Sequence, residues 1–587
     1  MNSSKRENLL NLALDATEEE RLQSLNLNVG YQEETDTWEV IVKYTGSLRK
    51  LEEIFPDIEV TELSNEYAVI RLPEALMDAV TDRTEIEYME KPKRLFFSVQ
   101  QGIRASCLTS LYTRKMGLGG TELSGKGVIT AFLDSGIDYR HPDFRKEDGS
   151  SRILAIWDQS IAGNPPAGFR LGTEYDRNII NDALQQEDIQ EGYRICPSRD
   201  LSGHGTHVAG IAAGNGRSSN GRNRGVAYES DLLVVKLGTP GKNSFPRTTE
   251  LMLGMDYILR KALELKQPVA VNISFGNTYG SHDGTSLLET YLSDMANYWK
   301  SVLVIGTGNE GSARGHTSGQ IVMGREQEVE FAVGEYEPAL SLQIWKSYAD
   351  IFSIRITHPN GKTVGIIRQL QGPQRFTIEG TQVLLYFGEP SPFSPFQEIY
   401  FDFLPVENYI DSGIYKITLI PEKIVTGAYN MWLPSLAVIG EATGFLYPTE
   451  ETTLTIPSTA YKVISVGAYD ARYNQVAAFS GRGFTRETNQ VKPDICAPGV
   501  DIESCAPGGG YTVRSGTSMA TPFVTGTAAL FMQWGIVEKH DAFLYGEKIK
   551  AYLIRGARPL PGYSLFPNPR LGWGVLCAAD SLPSDAG

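Results

Sequence analysis

The sequence predicts an α/β fold. A parallel sheet with helices on both faces is preceded by a small α+β unit and interrupted by an inserted β-sandwich. Two observations carry the prediction. From about Gly127, apolar runs (GVITAFLDSG, DLLVVKLG, VAVNISFG, SVLVIGTGN) each end in Gly, Ser, Asp or Asn, with helical stretches between them. Such runs suit strands buried on both faces and joined by helical crossovers. Between about Gly315 and Pro457 the apolar period becomes two, in segments such as EVEFAVG, LSLQIWK and GIYKITLIP. Eight or so short strands of this kind read as a sandwich or jelly roll.

The elements follow in order. Over residues 1–100, TWEVIVKY reads as a strand, SLRKLEEIF as a helix and IEVTELSNEYAVIRL as two strands about a Ser-Asn turn. PEALMDAVTD then reads as a helix opened by proline, and EIEYME as a last strand. That is the split βαβ order. The α/β domain occupies 101–314, breaks for the sandwich at 315–457 and resumes over 458–587. A smaller acidic insertion, about Lys146 to Arg199, reads as surface loops with a short helix. In GTSMATPFVTGTAALF, Pro522 suits a first turn, where its missing N–H is not needed, and Phe523, Gly526, Ala529 and Leu530 recur at helical spacing. Ser518 then falls at a helix N-terminus, where unpaired N–H groups and the positive end of the dipole converge.

Composition excludes some functions. A length of 587 residues implies two to four units. Lys+Arg 54 against Asp+Glu 70 gives a net charge of −16, which repels phosphate backbones and disfavours nucleic acid as a partner. The five cysteines are scattered and without metal-type spacing, so no disulfide framework is expected and a reducing compartment fits. MNSSKRENLLNLALDATEEERLQ lacks the sustained apolar core of a secretory signal, and no apolar run approaches 18 residues.

Four polar residues stand at strand or helix ends: Asp134 in LDSGID, His204 in SGHGTHVAG, Asn309 in GTGNEG and Ser518 in GTSMATP. Singly, each reads as a turn or capping residue. Together they match the needs of nucleophilic acyl transfer: a hydroxyl, a base, a carboxylate to orient the base and a donor for the oxyanion. His207, three residues after His204, reads as a packed or capping histidine, since HGTH lacks the glutamate and spacing of a zinc helix.

DSGID, HGTHVAG, GNEG and GTSMATP, in this order, resemble the signature segments of the subtilisin-like serine proteases. The resemblance covers about Gly127–Gly311 and Ser458–Ala579. It implies Asp134, His204 and Ser518 as a catalytic triad, with Asn309 beside the Ser518 N–H as the oxyanion donor. It also implies Asn272, Ser274, Phe275, Gly276 and Gly308 as the substrate-binding residues, with Asn272 to Gly276 pairing with substrate backbone as an added strand. Glu310, next to Asn309, is expected to give the pocket a negative tint.

Residues 1–100 then look like the family's prosegment, an intramolecular chaperone whose tail lies in the active site. Cleavage is expected after Gln100 or Gln101, with the fragment staying bound as an inhibitor whose folded body packs on the catalytic domain. A retained prosegment, no secretory signal and an inserted sandwich narrow the resemblance to the Csp germination proteases of spore-forming clostridia. That group activates a cortex-degrading hydrolase, which implies a spore-cortex hydrolase zymogen as partner and the mother-cell cytoplasm, then the spore, as location. Many family members hold calcium in the loop after the histidine helix. Here the loop is GNGRSSNGRNRG; Asp143 matches one family ligand, but three arginines oppose a cation, so no metal and no cofactor are expected. The rival reading is a pseudoprotease, a binding protein that keeps the fold; its mark is a missing triad residue, and none is missing.

Overall fold

Val269–Ile273 pairs in parallel with Ile129–Asp134 on one side and Ser301–Gly306 on the other, the centre of a nine-stranded sheet. The order runs Gln475–Val476, Ile464–Asp470, Ser301–Gly306, Val269–Ile273, Ile129–Asp134, Asp231–Lys236, Ile153–Asp158, Thr173–Asp176, with Ile495–Pro498 also against Ile464–Asp470. Side chains alternate across each strand. Phe132 and Val234 join a core with Val208 and Ile211 of the helix His204–Ala213 and Phe523 and Val524 of the helix Thr517–Met532. Their neighbours Leu133 and Val235 point the other way, against Gly254 of the helix Thr248–Leu265. Helices thus cover both faces, as the apolar runs require.

The computed structural model describes residues 3–33, 35–94, 106–107, 122–239 and 245–583. These divide into two compact units, one of Met1–Arg94, Asn277–Leu287 and Glu310–Thr453, the other of Leu95–Gly276, Leu288–Asn309 and Leu454–Gly587. The second holds the nine-stranded sheet. Three sequence expectations for it need correction. The segment 146–199 adds two strands to the sheet edge and two helices, Arg177–Leu184 and Ile189–Ile195, instead of loops. Cys107 and Cys577 form a disulfide across 470 residues, a separation no spacing rule reaches, while Cys196, Cys496 and Cys505 are free and buried. Pro522 lies inside its helix instead of in the first turn, because the helix begins at Thr517.

In the first unit, Thr37–Tyr44, Glu59–Leu63, Tyr67–Pro73 and Ile86–Glu90 form the antiparallel sheet of the split βαβ order. Residues 316–445 form two antiparallel sheets, of six and five strands, around a single apolar core. The strand Phe396–Pro405 is buried on both sides. Ile399, Phe401 and Phe403 enter the sandwich core, whereas Tyr400, with Leu384 and Tyr386, joins the core of the N-terminal unit beside Leu9, Leu12, Trp38 and Ile70. The N-terminal body therefore shares its core with the sandwich. Polar contacts reinforce the junction: Ser24 donates to Asp402, the Asn26 amide donates to Tyr400 Oη at 3.0 Å, and Arg375 pairs with Glu20.

Burial at this junction has a pH consequence. Burial, followed by the nearby Glu7 charge, pushes the Glu398 carboxyl up to about 8; burial likewise raises Asp402 to about 8. Both pKa values lie above those of an unfolded carboxyl, so the folded unit retains protons that the unfolded chain releases. The stability these two groups contribute is therefore greatest below the unfolded carboxyl range and falls as pH rises to about 8, by up to about tenfold in the folding constant per pH unit for each proton. Thermal unfolding followed from pH 5 to 9 is expected to show this fall, and Asp402→Asn to flatten it; an unchanged slope in Asp402→Asn would contradict the assignment.

Candidate active site

Asp134 ends its strand fully buried, and the following Ser135 N–H donates to its Oδ1 at 2.7 Å. The same oxygen lies 2.7 Å from His204 Nδ1. A carboxylate only accepts, so Nδ1 carries the ring proton and Nε2 is left as the basic nitrogen. Gly205 makes this approach possible: a Cβ there would sit 3.0 Å from Asp134 Oδ1 and overlap the Gly136 carbonyl.

The start of the His204 helix is held by a residue that the sequence reading missed. Asp200 Oδ1 accepts from Gly203 N–H (2.9 Å) and Ser135 Oγ (2.7 Å); its Oδ2 accepts from Thr206 N–H (2.8 Å) and Thr206 Oγ1 (2.7 Å). A carboxylate against the first N–H groups of a helix is stabilised there by the dipole. Ser135 also accepts from Gly205 N–H at 3.0 Å, so one network fixes both the aspartate turn and the histidine helix. An acidic residue just ahead of a helix start was the available signal. His207 is packed, as expected: its Nε2 faces the carbonyls of Ile502 (3.0 Å) and Thr512 (3.1 Å), and burial pushes its pKa down to about 3.

Ser518 lies in the first turn of Thr517–Met532, 2 % exposed, and its Oγ donates to the Ser274 carbonyl at 3.3 Å. Pro522 has no N–H for the Ser518 carbonyl, and the Ser274 hydroxyl donates to that oxygen instead, at 3.4 Å. Ser274 is itself steered from the same helix: Thr525 Oγ1 donates to Asn272 Oδ1 (3.0 Å), and Asn272 Nδ2 donates to Ser274 Oγ (2.8 Å). Asn272 is thus a buried positioning residue between two paired strands, and the sheet offers no edge there. Any edge for an added strand begins after Ile273, at Ser274–Gly276. The ring of Phe275 lies 6.4 Å from that of His204, which places the Ser274–Gly276 segment beside both Ser518 and the Asp134–His204 pair.

Asn309 Oδ1 accepts from Thr517 N–H at 3.1 Å. An N–H only donates, so the atom facing it must be the amide oxygen, and the NH₂ is left to serve another acceptor. Thr517 Oγ1 also accepts from Gly308 N–H at 3.1 Å, which ties the Asn309 turn to the helix start. The Glu310 carboxylate is buried and accepts from Ser435 Oγ (2.6 Å) and Leu436 N–H (3.3 Å), and burial raises its pKa. Gln100 and Gln101 lie outside the described residues.

The residues around Asp143 do not fit calcium. Its oxygens accept from Ser218 N–H (2.7 Å), Tyr511 Oη (2.7 Å) and Cys505 Sγ (3.4 Å). Carbonyls of the surrounding loops face arginines: Arg152 donates to Asp143 and Ala213, and Arg217 to Lys146 and Glu147. His141, Asp143 and Cys505 do cluster. However, His141 Nδ1 accepts the Asp143 N–H and its Nε2 faces the Gly510 carbonyl at 2.9 Å, so the ring is already engaged at both nitrogens.

Comparison with known proteins agrees with this architecture. Residues 4–93 match the model of the Csp protease B prodomain, and residues 125–346 and 446–574 match that of the subtilase family. The structure of the CspB protease of Clostridium perfringens is 38% identical with a TM-score of 0.74, covering 81% of this chain and 96% of that one. The minor extracellular protease Vpr of Bacillus subtilis is 25% identical over 79% of this chain and 52% of its own length. The C5a peptidase of Streptococcus pyogenes is 23% identical over 70% and 35%. The chain spans about half or less of the length of these two curated relatives. Its two matched family segments make up more than half of the chain, and the chain belongs to the subtilase family.

Proposed function

We propose that the chain is a serine endopeptidase that works through an acyl-enzyme on Ser518. The supporting observation is the 2.7 Å contact between Asp134 and His204, which leaves His204 Nε2 as the base. In the first step Ser518 Oγ attacks the peptide carbonyl while Nε2 takes its proton. The imidazolium so formed is stabilised by Asp134, and it returns the proton to the leaving amine. Water, activated by the same nitrogen, then releases the acyl group. The Asn309 NH₂ and the Ser518 N–H stabilise the oxyanion in both steps.

The protease first cuts its own connector, after Gln100 or Gln101, and the freed prosegment stays bound as an inhibitor. Tethering raises the effective concentration of that peptide far above any free substrate. The resemblance to the Csp group extends the reading to activation of a spore-cortex hydrolase during germination, in the mother-cell cytoplasm and then the spore.

Asn309→Ala tests the oxyanion role. It is expected to lower kcat by about 10²–10³ with little change in KM, a magnitude measured on subtilisin, a member of this family. A rise in KM with kcat intact would make Asn309 a ground-state binding residue. The reading as a whole is tested by incubation with a serine-directed phosphonate and peptide mapping, with label expected on Ser518 alone.

A further inference from the structure

Two loops of the inserted sandwich hold tyrosines in solvent. Tyr336 lies between the strands Gln327–Val333 and Leu340–Ser347, and Tyr409 between Phe396–Pro405 and Gly413–Lys423. Their rings meet edge to face, with centroids 5.4 Å apart at 81°. Tyr336 is 72 % exposed and Tyr409 50 %, so neither ring fills the sandwich core. Val406, 54 % exposed, adds apolar surface in the Tyr409 loop.

The loops themselves are firmly tied. Glu337 is buried, and its Oε1 accepts from Gly440 N–H at 2.7 Å and from the Thr443 hydroxyl. The Glu337 carbonyl accepts from Ile410 N–H at 3.0 Å, and Thr443 Oγ1 accepts from Gly334 N–H at 3.0 Å. One residue thus joins both tyrosine loops to the segment before Gly444. Tyr336 has φ +65°, in the left-handed region. A bulky residue is strained there, whereas glycine is not. The fold gains no burial from this ring and bears strain to keep it, and strain of that kind clusters at binding sites.

Charge says what the rings face. Glu335 and Glu407 are exposed in the same two loops, and among the described residues neither has an ion-pair partner. The other exposed-loop carboxylate, Asp411, is taken up by His358 Nε2 at 2.9 Å and Gly380 N–H at 2.8 Å. Neither loop, 334–339 or 406–412, contains a lysine or arginine. Such a rim repels anionic polymers and attracts cations, and a ring face attracts a cation as well. Rings at 81° do not form the flat platform on which a sugar stacks. We propose that these loops dock a basic segment of another protein, in which an arginine or lysine stands beside an apolar residue. The cation lies against a tyrosine face and pairs with Glu335 or Glu407, while the apolar neighbour covers Val406. Arginine suits the surface better than lysine, because its flat guanidinium stacks on a ring.

The test is fluorescence anisotropy with a dye-labelled short peptide that repeats arginine beside leucine, and with its twin carrying glutamine for arginine. The protein is the full-length Ser518→Ala chain, which spares the probe. The arginine peptide is expected to bind about tenfold or more tighter than its twin at low salt, and to lose that margin as salt rises. Adding Tyr336→Gly, Tyr409→Ala, or Glu335→Gln with Glu407→Gln is expected to weaken its binding by about tenfold. Tyr336→Gly separates docking from folding: glycine accepts the left-handed backbone, so the thermal midpoint holds while binding falls. Failure of the arginine peptide to bind, equal binding of the twin, or unchanged binding in both tyrosine variants would overturn the proposal. An N-acetylglucosamine tetramer is titrated in parallel. Binding of that glycan, lost in Tyr409→Ala, would make the surface a carbohydrate site and overturn the proposal too.

Discussion

Ser518→Ala and His204→Ala are each expected to lower peptide hydrolysis by about 10⁶ in kcat, with the double variant hardly worse than either single one. The size is that measured on subtilisin, a member of the same family. The non-additivity follows from the mechanism. Without the hydroxyl the base has no proton to take, and without the base the hydroxyl is a weak nucleophile. What remains is catalysis by the oxyanion donors and substrate positioning, which neither substitution touches. The fold is expected to tolerate both changes: Ser518 is small and among the described residues its hydroxyl makes only a long 3.3 Å bond, and the His204 helix start is held by Asp200. Turnover within tenfold of wild type in Ser518→Ala would remove the nucleophile from the account.

Asp134→Asn is expected to lower kcat by about 10⁴, as the same change does in another serine protease triad. The cause is lost charge and not lost packing. Asp134 Oδ1 accepts from both Ser135 N–H and His204 Nδ1. An asparagine can keep an amide oxygen at that point, but it removes the negative charge that stabilises the imidazolium formed when Nε2 takes the serine proton. Near-wild-type thermal stability with this loss of kcat is the expected pair of results. Equal activity in Asp134→Asn would mean that Asp134 is a structural turn residue only.

The sequence made the α/β sheet legible because strands buried on both faces leave uninterrupted apolar runs, and the proposed reactive residues sit at the ends of such runs (Asp134, Asn309) or at helix starts (His204, Ser518). Asp134, His204, Asn309 and Ser518 were readable on that ground. The residues that position them were not. Asp200 and Thr517 act on Ser135 and Gly308, which are far away in sequence, and neither pairing leaves a local pattern. The strand 173–176, TEYD, was obscured by its polar residues at the sheet edge, whereas 153–158, ILAIWD, carried an apolar run that the reading of 146–199 as loops passed over. In Phe396–Pro405 Glu398 and Asp402 alternate with apolar residues, and the N-terminal body covers that face. A covered polar face cannot be told from an exposed one by periodicity alone.

Intact mass measured on freshly purified wild-type and Ser518→Ala protein, under denaturing conditions, tests the central claim most directly. The disulfide joins Cys107 to Cys577, beyond the expected cut, so no covalent link retains the prosegment. The account predicts two species for wild type, a fragment ending at or near Gln100 or Gln101 and the remainder, and one full-length species for Ser518→Ala. An uncut wild type, or the same cut in both proteins, would contradict an active protease that matures itself through Ser518.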